Sequence, residues 1–217
     1  MKTISYEDFV SFKPCWLIDG ETRIKHASQL AGYRAMRDEW SALDILRLDE
    51  VDAEDRLWLV LREELIDAPI LHEFACRCAE RALSRIDKPD ERSIAAIEAK
   101  RKWLRGEISD KELAAAWDAA RSATWDAAGN SVKRAAWDGA RDAAWASTCP
   151  GASSAAWYAA EDAERCAAME ATWYAERKAK SEAGLDFVLR DARSEARLVE
   201  REWQVAELMR MLDWKKC

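Results

Sequence analysis

Two Trp–Arg pairs are the residues of this chain whose types and spacing could support binding chemistry. Trp117 with Arg121, and Trp137 with Arg141, are four positions apart, so each pair shares one face of a helix. An indole ring beside a guanidinium group can stack on a nucleotide or form the centre of a protein interface. The residues that we predict to contact a partner or ligand are Trp117, Arg121, Trp125, Trp137, Arg141, Trp145 and Trp157.

Catalytic and metal-binding patterns are missing from the sequence. It has no Gly-rich phosphate loop, no G-x-S-x-G elbow and no H-E-x-x-H pair, and its only histidines are His26 and His72. His72 and Cys76 share a helix face, but no second pair completes a zinc site, so we expect both to pack in the core. We predict a protein that is not an enzyme, with no catalytic residue, metal or cofactor.

The composition is that of a folded protein without a membrane span. The 217 residues are 49% hydrophobic and 35% charged, and no apolar run approaches the ~20 residues that cross a bilayer. The first residues, MKTISYEDFV, have acidic side chains where a signal peptide is apolar, so we predict a cytoplasmic location. The net charge of −7 argues against a nucleic-acid partner, and the six scattered cysteines are expected to be reduced.

A 20-residue repeat organises the middle of the chain. WDAAR at 117–121 returns as WDGAR at 137–141 and, more weakly, as WYAAE at 157–161. On one straight helix, 20 residues would place successive units about 200° apart, on opposite faces. The breaks at 129–131 (Gly-Asn-Ser), where Asn130 and Ser131 can end one helix and cap the next, and at 149–151 (Cys-Pro-Gly) therefore predict successive helices that fold back on one another. Tryptophan among alanines then fills the wider gaps between closely packed helices.

Cap residues and breaks predict helices along the rest of the chain. Gly106 is typical of the left-handed residue that follows a helix, and Glu21–Trp40 is predicted to be helical. Residues 41–51 either end a helix and form a loop or include a short strand. Helix starts are predicted directly after Ser5, Asp52, Asp67, Asp90 and Ser109, the last with Glu112 in a capping box.

One or two long helices are predicted from Ser153 onward, with Gly184 as the joint. Apolar residues at spacings of three and four predict that the second helix docks on its own bundle or pairs with a second copy, and we expect a homo-oligomer. The predicted stripe consists of Leu185, Val188, Leu189, Ala192, Ala196, Val199, Trp203, Ala206 and Met209.

These patterns together predict an all-α fold, an Ala/Trp-rich antiparallel helical bundle. Residues 1–66 are predicted to form an N-terminal helical subregion. Residues 67–217 are predicted to form the main alanine-rich helical array, which includes the long C-terminal helices.

The segment Phe74–Arg105, FACRCAERALSRIDKPDERSIAAIEAKRKWLR, continues into GEIS and the alanine-rich helices. This succession of a CAERAL helix, a Pro-Asp turn, an AIEAKRKWLRGEI helix and Ala-Ala-Arg repeats resembles the immunity-protein family encoded beside bacterial toxins. It is also similar to Ala/Trp-rich proteins of phages and prophages. The resemblance covers roughly residues 68–148 and implies an inhibitor that works by binding, with no catalytic set.

Three functions are consistent with these observations. The first is a cytoplasmic, non-enzymatic binding protein that neutralises a toxin or a component of host defence. The alternative is a phage-type sequestering protein that binds a nucleotide signal between helices, which requires exposed tryptophans beside arginines. The second alternative is a structural protein that self-assembles through its C-terminal helices.

The exposure of the tryptophans separates a purely structural repeat from a binding repeat. In each of the first two units a second tryptophan follows the first by eight residues, which spreads the two rings about 80° across a broad face. One neighbouring helix does not cover such a face. We therefore expect some of the four rings in the core and at least one at the surface beside Arg121 or Arg141.

Overall fold

The computed structural model describes residues 2–12, 37–127, 130–144, 151–178 and 185–214. Within these ranges the chain forms nine helices and one small sheet, which confirms the predicted all-α fold. The strands are β1 (Thr3–Ser5) and β2 (Glu39–Ser41), and the helices are α1 (Tyr6–Ser11), α2 (Ala42–Leu46), α3 (Ala53–Val60), α4 (Ala68–Leu83), α5 (Glu91–Leu104), α6 (Asp110–Asp126), α7 (Ser131–Ala143), α8 (Ala152–Lys178) and α9 (Leu185–Trp214).

The antiparallel pair of β1 and β2 ties the beginning of the chain to the segment before α2. Ile4 is paired with Trp40, and both side chains are buried. Directly after the strand, the Ser41 hydroxyl accepts a hydrogen bond from the Asp44 backbone N–H and caps α2. The strand therefore places α2 against the core.

The prediction of a helix over Glu21–Trp40 is wrong at its C-terminal end, where β2 is extended. Residues 21–36 of that predicted helix lie outside the described residues. The backbone of Trp40 is satisfied by pairing with β1, more than 30 residues away in the chain, so no local periodicity indicates it. Of the two alternatives for residues 41–51, the structure has β2 ending at Ser41 and the short helix α2 following it.

Local cap residues set the ends of the helices as predicted. The Ser109 hydroxyl accepts from the Glu112 N–H, and the Glu112 carboxylate accepts from the Ser109 N–H, at the start of α6. The Asn130 side chain caps α7 in a similar way. Gly106 follows α5 with φ of 74°, the left-handed conformation that favours glycine. The other predicted starts are observed after Ser5, Asp52, Asp67 and Asp90.

The three repeat units lie on three successive helices, because α6 carries WDAAR, α7 carries WDGAR and α8 carries WYAAE. Helices α7 and α8 run antiparallel, since Val132 lies beside Cys166 while Gly139 lies beside Ala159. The prediction that the repeat folds back as separate helices is confirmed. The predicted joint at Gly184 lies outside the described residues.

Helices α4, α7 and α8 approach one another closely at Gly139. A Cβ atom at Gly139 would lie 3.9 Å from Ala79 Cα in α4, 3.9 Å from the Ala159 carbonyl oxygen and 3.4 Å from Asp162 Cβ in α8. Only small side chains fit between backbones at such distances. The buried alanines of the three helices include Ala75, Ala79, Ala82, Ala135, Ala136, Ala140, Ala143, Ala155, Ala156, Ala159, Ala160 and Ala163.

The C-terminal half of α9 docks through buried polar groups. The fully buried carboxylate of Glu200 accepts hydrogen bonds from Arg81 at 2.8 Å and from Arg85 at 2.6 Å. Gln204 donates to the Ala160 carbonyl oxygen at 2.9 Å. These contacts are charge-assisted or buried, so they fix the position of α9 on α4 and α8. The remaining buried side chains of α9 are Arg201, Val205, Leu208 and Leu212.

Only part of the apolar stripe predicted for α9 meets the bundle, where Trp203 and Met209 pack against the core. Val188 and Val199 are about half exposed, and Ala206 is exposed. The ion pairs of Glu200 turn a different face of the helix toward the bundle, and that face carries Leu208. The sequence prediction considered only how apolar each face of α9 is. In the structure the buried ion pairs of Glu200 select the face that docks.

A single hydrophobic cluster joins both predicted regions of the chain, since it extends from Ile4 to Leu212. The division at residue 66 stays a prediction. None of the described helices combines the length and the apolarity that crossing a bilayer requires.

Substitutions at Gly139 test the close approach of the three helices. Gly139→Ala should change the free energy of unfolding by less than about 1 kcal/mol, because its methyl group meets ordinary contact distances and alanine favours the helix. Gly139→Leu should lower it by about 1–3 kcal/mol, because the longer side chain forces the helices apart. Urea denaturation followed by circular dichroism measures both. Equal stability of the two variants would contradict this packing.

Candidate functional site

The exposures of the predicted tryptophans divide between core and surface, as expected. Trp137 in α7 is 7% exposed, whereas Trp125 near the end of α6 is 71% exposed. Trp117 and Trp157 are half-buried. Trp145 lies outside the described residues. The repeat therefore supplies both a core ring and a ring that is free to meet another molecule.

The arginines near these rings have different roles. The Arg121 guanidinium lies 5.0 Å from the centre of the Trp117 ring, a cation–π distance. Arg141 instead pairs with acidic side chains of its own helix, with Nη1 2.8 Å from Asp138 Oδ1 and Nε 2.7 Å from Asp142 Oδ1. The predicted pair of Trp117 and Arg121 is therefore observed, whereas Arg141 forms ion pairs with carboxylates and not a cation–π contact with Trp137.

A groove of about 1090 Å³ lies between α6, α7 and α8, and we call it the α7 groove. It brings together Arg121, Trp125 and Arg141 from the predicted set, and leaves Trp117, Trp137 and Trp157 outside. Its lining residues are Arg121, Thr124, Trp125, Ala127, Asn130, Ser131, Arg134, Ala135, Asp138, Arg141, Asp142, Tyr158, Glu161, Asp162, Arg165 and Met169.

An ion network forms the floor of the α7 groove. Arg165 in α8 donates to Asp138 Oδ2 at 3.0 Å and also to Asp162. Arg141 binds the other oxygen of Asp138 and one oxygen of Asp142. Two arginines thus hold three carboxyl groups. The network can present positive and negative groups to a ligand.

Asp162 is the most perturbed carboxyl group of this network. Its pKa is raised to about 8, mainly by burial; Arg165 and Arg141 oppose the rise, and the charges of Asp142 and Asp138 add to it. Burial also raises the pKa of Asp138. Periodicity could not single out Asp162, because its burial depends on the contact between α7 and α8.

A second groove, of about 880 Å³, adjoins the first and shares Asn130, Ser131, Arg165 and Met169 with it. We call it the basic groove, because six of its lining side chains are basic and three are acidic. Trp173 and Tyr174 of α8 also line it. The locally basic character contrasts with the net charge of −7 for the whole chain. Its basic residues are Arg85, Lys88, Lys133, Arg165, Arg193 and Arg197.

The largest group of exposed apolar side chains lies where α8 ends and α9 begins. None of the described side chains between 186 and 199 is buried, and the same holds for 173–178. We call this region the hairpin surface. It consists of Trp173, Tyr174, Phe187, Val188, Leu198 and Val199, which are between 46% and 72% exposed.

Sequence analysis missed most of the hairpin surface, since only Val188 and Val199 belong to the predicted stripe of α9. The Trp173 and Tyr174 rings meet edge to face at 4.9 Å, and the Arg177 guanidinium lies 4.5 Å from the Trp173 ring. The available signal was that Phe187 and Leu198 are eleven residues apart, on one face of α9 but off its predicted stripe. A helix with apolar residues on two faces has more apolar surface than one interface buries.

The pair of His72 and Cys76 lies in the core, as expected. The His72 ring meets Trp103 edge-on at 5.8 Å, and Lys100 Nζ lies 4.3 Å from the centre of the Trp103 ring. Burial and the Lys100 charge lower the pKa of His72 to about 4, while burial raises that of Cys76 to about 12. The described part of the chain has no cluster of ligating side chains suited to a metal ion. The described cysteines are free, buried thiols: Cys76, Cys78 and Cys166.

Comparison with known proteins gives no neighbour: no family model, curated protein or solved structure matches this chain. The resemblance to immunity proteins therefore stays a hypothesis.

Alanine substitution separates the structural ring from the exposed one. Trp137→Ala should lower the free energy of unfolding by about 3–5 kcal/mol, because it leaves a cavity in the core. Trp125→Ala should lower it by less than about 0.5 kcal/mol, because the ring is 71% exposed. Thermal unfolding followed by circular dichroism ranks the two variants, and the reverse order would contradict the structure.

Asp162→Asn should change how stability depends on pH. In the native protein the raised pKa keeps a proton that the unfolded chain releases, so stability is lost as pH rises from about 4 to about 8. An amide does not titrate. The stability of the variant relative to the native protein should therefore rise across this range, by at most about 1.4 kcal/mol per pH unit.

Urea denaturation at about pH 5 and about pH 8 measures this slope. Asp118→Asn, which replaces an exposed carboxyl group, is the control and should follow the native protein. The same slope in all three proteins would show that Asp162 does not hold the proton.

Proposed function

We propose that this chain is a non-enzymatic binding protein that neutralises another protein, a toxin or a component of host defence. The hairpin surface is the observation that carries the proposal. Six of the nine large hydrophobic side chains exposed in the described residues lie between 173 and 199. The hydrogen bond from Arg193 to Thr172 joins the two segments, and exposed apolar side chains gathered in one region of a fold mark a site of association.

The residue types of the hairpin surface are those that anchor protein interfaces. Trp and Tyr bury large rings at low entropic cost, and arginine contributes both stacking and hydrogen bonds. Trp173 and Tyr174 provide the rings, and Arg177 lies over the first of them. The adjoining basic groove extends the same face with arginines that remain close to solvent.

The charges between the apolar residues define the chemistry of the partner. At 100° per residue, Asp191 and Glu195 fall between the Phe187–Leu198 pair and the Val188–Val199 pair on the same side of α9. Both carboxylates are exposed and have no ion pair within the described residues. A second copy docked on this face would bring like charges together. A partner with apolar residues around a lysine or arginine fits it better.

Carboxyl groups that the fold buries are held by arginines in ion pairs. Glu200 is held by two arginines, and the carboxyl groups of the α7 groove are held by Arg141 and Arg165. These groups lie in structural ion pairs between helices. Their role in positioning the helices is sufficient to explain them, so they do not need a catalytic explanation.

The test is stoichiometric capture of the product of a neighbouring gene or of a host protein by the immobilised chain. Phe187→Asp combined with Leu198→Asp should reduce the affinity for that partner at least about tenfold, because two exposed apolar anchors become charged. The melting temperature should stay unchanged, since neither side chain is buried. Isothermal titration with the purified partner gives the affinity.

Ile94→Asp is the matched control, because Ile94 is an exposed apolar residue of α5, outside the hairpin surface. It should leave the affinity unchanged. Two results would contradict the proposal: the absence of any stoichiometric partner, or a dimer of the native chain that the double variant converts to a monomer. The latter result would assign the surface to self-assembly.

A further inference from the structure

The basic groove lies between α7, α8, α9 and the segment that follows α4. Contacts between these elements fix its walls. The Cys166 thiol of α8 lies 3.7 Å from the carbonyl oxygens of Ala82 in α4 and Val132 in α7. Arg193 of α9 donates to Thr172 Oγ1 of α8 at 2.8 Å. The groove is therefore a defined cleft of the fold, with a volume of about 880 Å³.

Half of the basic side chains of this groove lack a carboxylate at ion-pair distance among the described residues. They are Lys88, Lys133 and Arg193, and the hydrogen bond from Arg193 to Thr172 involves a neutral oxygen. A positive charge left unpaired in a cleft attracts an anionic group of another molecule. The remaining three are paired within the bundle: Arg85 with Glu170 and Glu200, Arg165 with Asp138 and Asp162, and Arg197 with Glu164.

The acidic side chains of the basic groove leave its lining with an excess of positive charge. Glu170 is held by Arg85, and the other two, Asp87 and Glu176, are exposed. They leave the lining too mixed for the closely spaced phosphates of a nucleic acid, and the whole chain has a net charge of −7. A few carboxylates of a protein partner suit such a lining better.

The basic groove and the hairpin surface share the rings of Trp173 and Tyr174. A partner that covers these rings therefore reaches both. The two regions have opposite charges on α9, because Arg193 is two residues from Asp191 and from Glu195, which places it about 200° around the helix from each. A single partner thus meets carboxylates on the outer face of α9 and cations on the side toward the groove.

We propose that the basic groove is the second half of the partner interface and binds an acidic segment of the captured protein. This inference rests on the proposed function, and it adds the chemistry of a second contact. Carboxylates of the segment pair with Lys88, Lys133 and Arg193, while an apolar side chain of the segment packs on Trp173. The partner presents a basic group among apolar residues to α9 and acidic residues to the groove.

A synthetic peptide tests the groove without the natural partner. The probe is a fluorescently labelled peptide with leucine between two runs of glutamate, titrated with the full chain at low salt. We expect saturable one-to-one binding that weakens as salt is added. The same peptide with glutamine in place of glutamate should bind at least about tenfold more weakly. No saturable binding of the glutamate peptide at about 1 mM would overturn the proposal.

Charge reversal assigns the peptide to the basic groove. Lys88→Glu combined with Lys133→Glu should weaken binding about tenfold or more, because two attractive charges become repulsive. The matched control is Lys102→Glu combined with Lys111→Glu, since these lysines are exposed and do not line the groove. It makes the same change in net charge and should leave the affinity unchanged. Circular dichroism confirms that each variant is folded. Equal affinities of the two double variants would place the peptide elsewhere and contradict the assignment.

The captured protein separates this inference from the proposed function. The double variant of Lys88 and Lys133 should weaken its affinity about tenfold, as Phe187→Asp with Leu198→Asp should do at the hairpin surface. An effect of the second pair alone would keep the proposed function and overturn the groove inference. Peptide binding that needs both lysines, in a chain that captures no protein, would support the acidic-segment site and contradict the proposed function.

An oligothymidylate of the same charge as the peptide tests for nucleic acid. It should bind more weakly than the glutamate peptide. Tighter binding of the oligothymidylate, lost in the double variant of Lys88 and Lys133, would assign the groove to nucleic acid and overturn the inference.

Discussion

The close approach of α4, α7 and α8 determines the rest of this structure. Around Gly139 the neighbouring backbones leave space for little more than a methyl group, and alanines line the facing surfaces. Such a core gains its stability from many close contacts between small groups, and it has no volume for several indole rings. Trp137 is buried, Trp117 and Trp157 are half covered, and Trp125 lies in solvent. The grooves and the exposed rings therefore follow from its alanine core.

The attachment of α9 depends on a different interaction. Flat alanine surfaces specify the rotation and register of a docking helix only weakly, whereas buried ion pairs specify them strongly. Glu200 between Arg81 and Arg85, with Arg56 against Glu202, sets which face of α9 meets the bundle. The cost of desolvating these charges is offset only in that single arrangement. One consequence is that apolar residues of α9 remain at the surface.

The sequence predicted those parts of the structure that depend on neighbouring residues. The capping box of Ser109 and Glu112, the cap at Asn130 and the left-handed Gly106 use local hydrogen bonds and local conformation, so their residue types reveal them. The strand at Trp40, the docking face of α9 and the perturbed Asp162 depend on residues far away in the chain. Trp125 and Arg121, which were predicted to contact a partner or ligand, both line the α7 groove, because a spacing of four residues puts them on one face of α6. Tyr158, Asp162 and Phe187 were not found, because only packing gives them their exposure or burial.

The long helix α9 has two halves with unequal support. From Glu200 onward its side chains enter the core, whereas between 186 and 199 no described side chain is buried and the contacts seen, such as Arg193 with Thr172, reach α8. Opening of the first half exposes little apolar area, so its amide hydrogens should exchange with solvent at a lower free-energy cost than those of the second half. A partner that binds there has to order this segment and loses part of its binding energy in doing so. The hairpin surface would then adjust its shape to a partner and release it quickly.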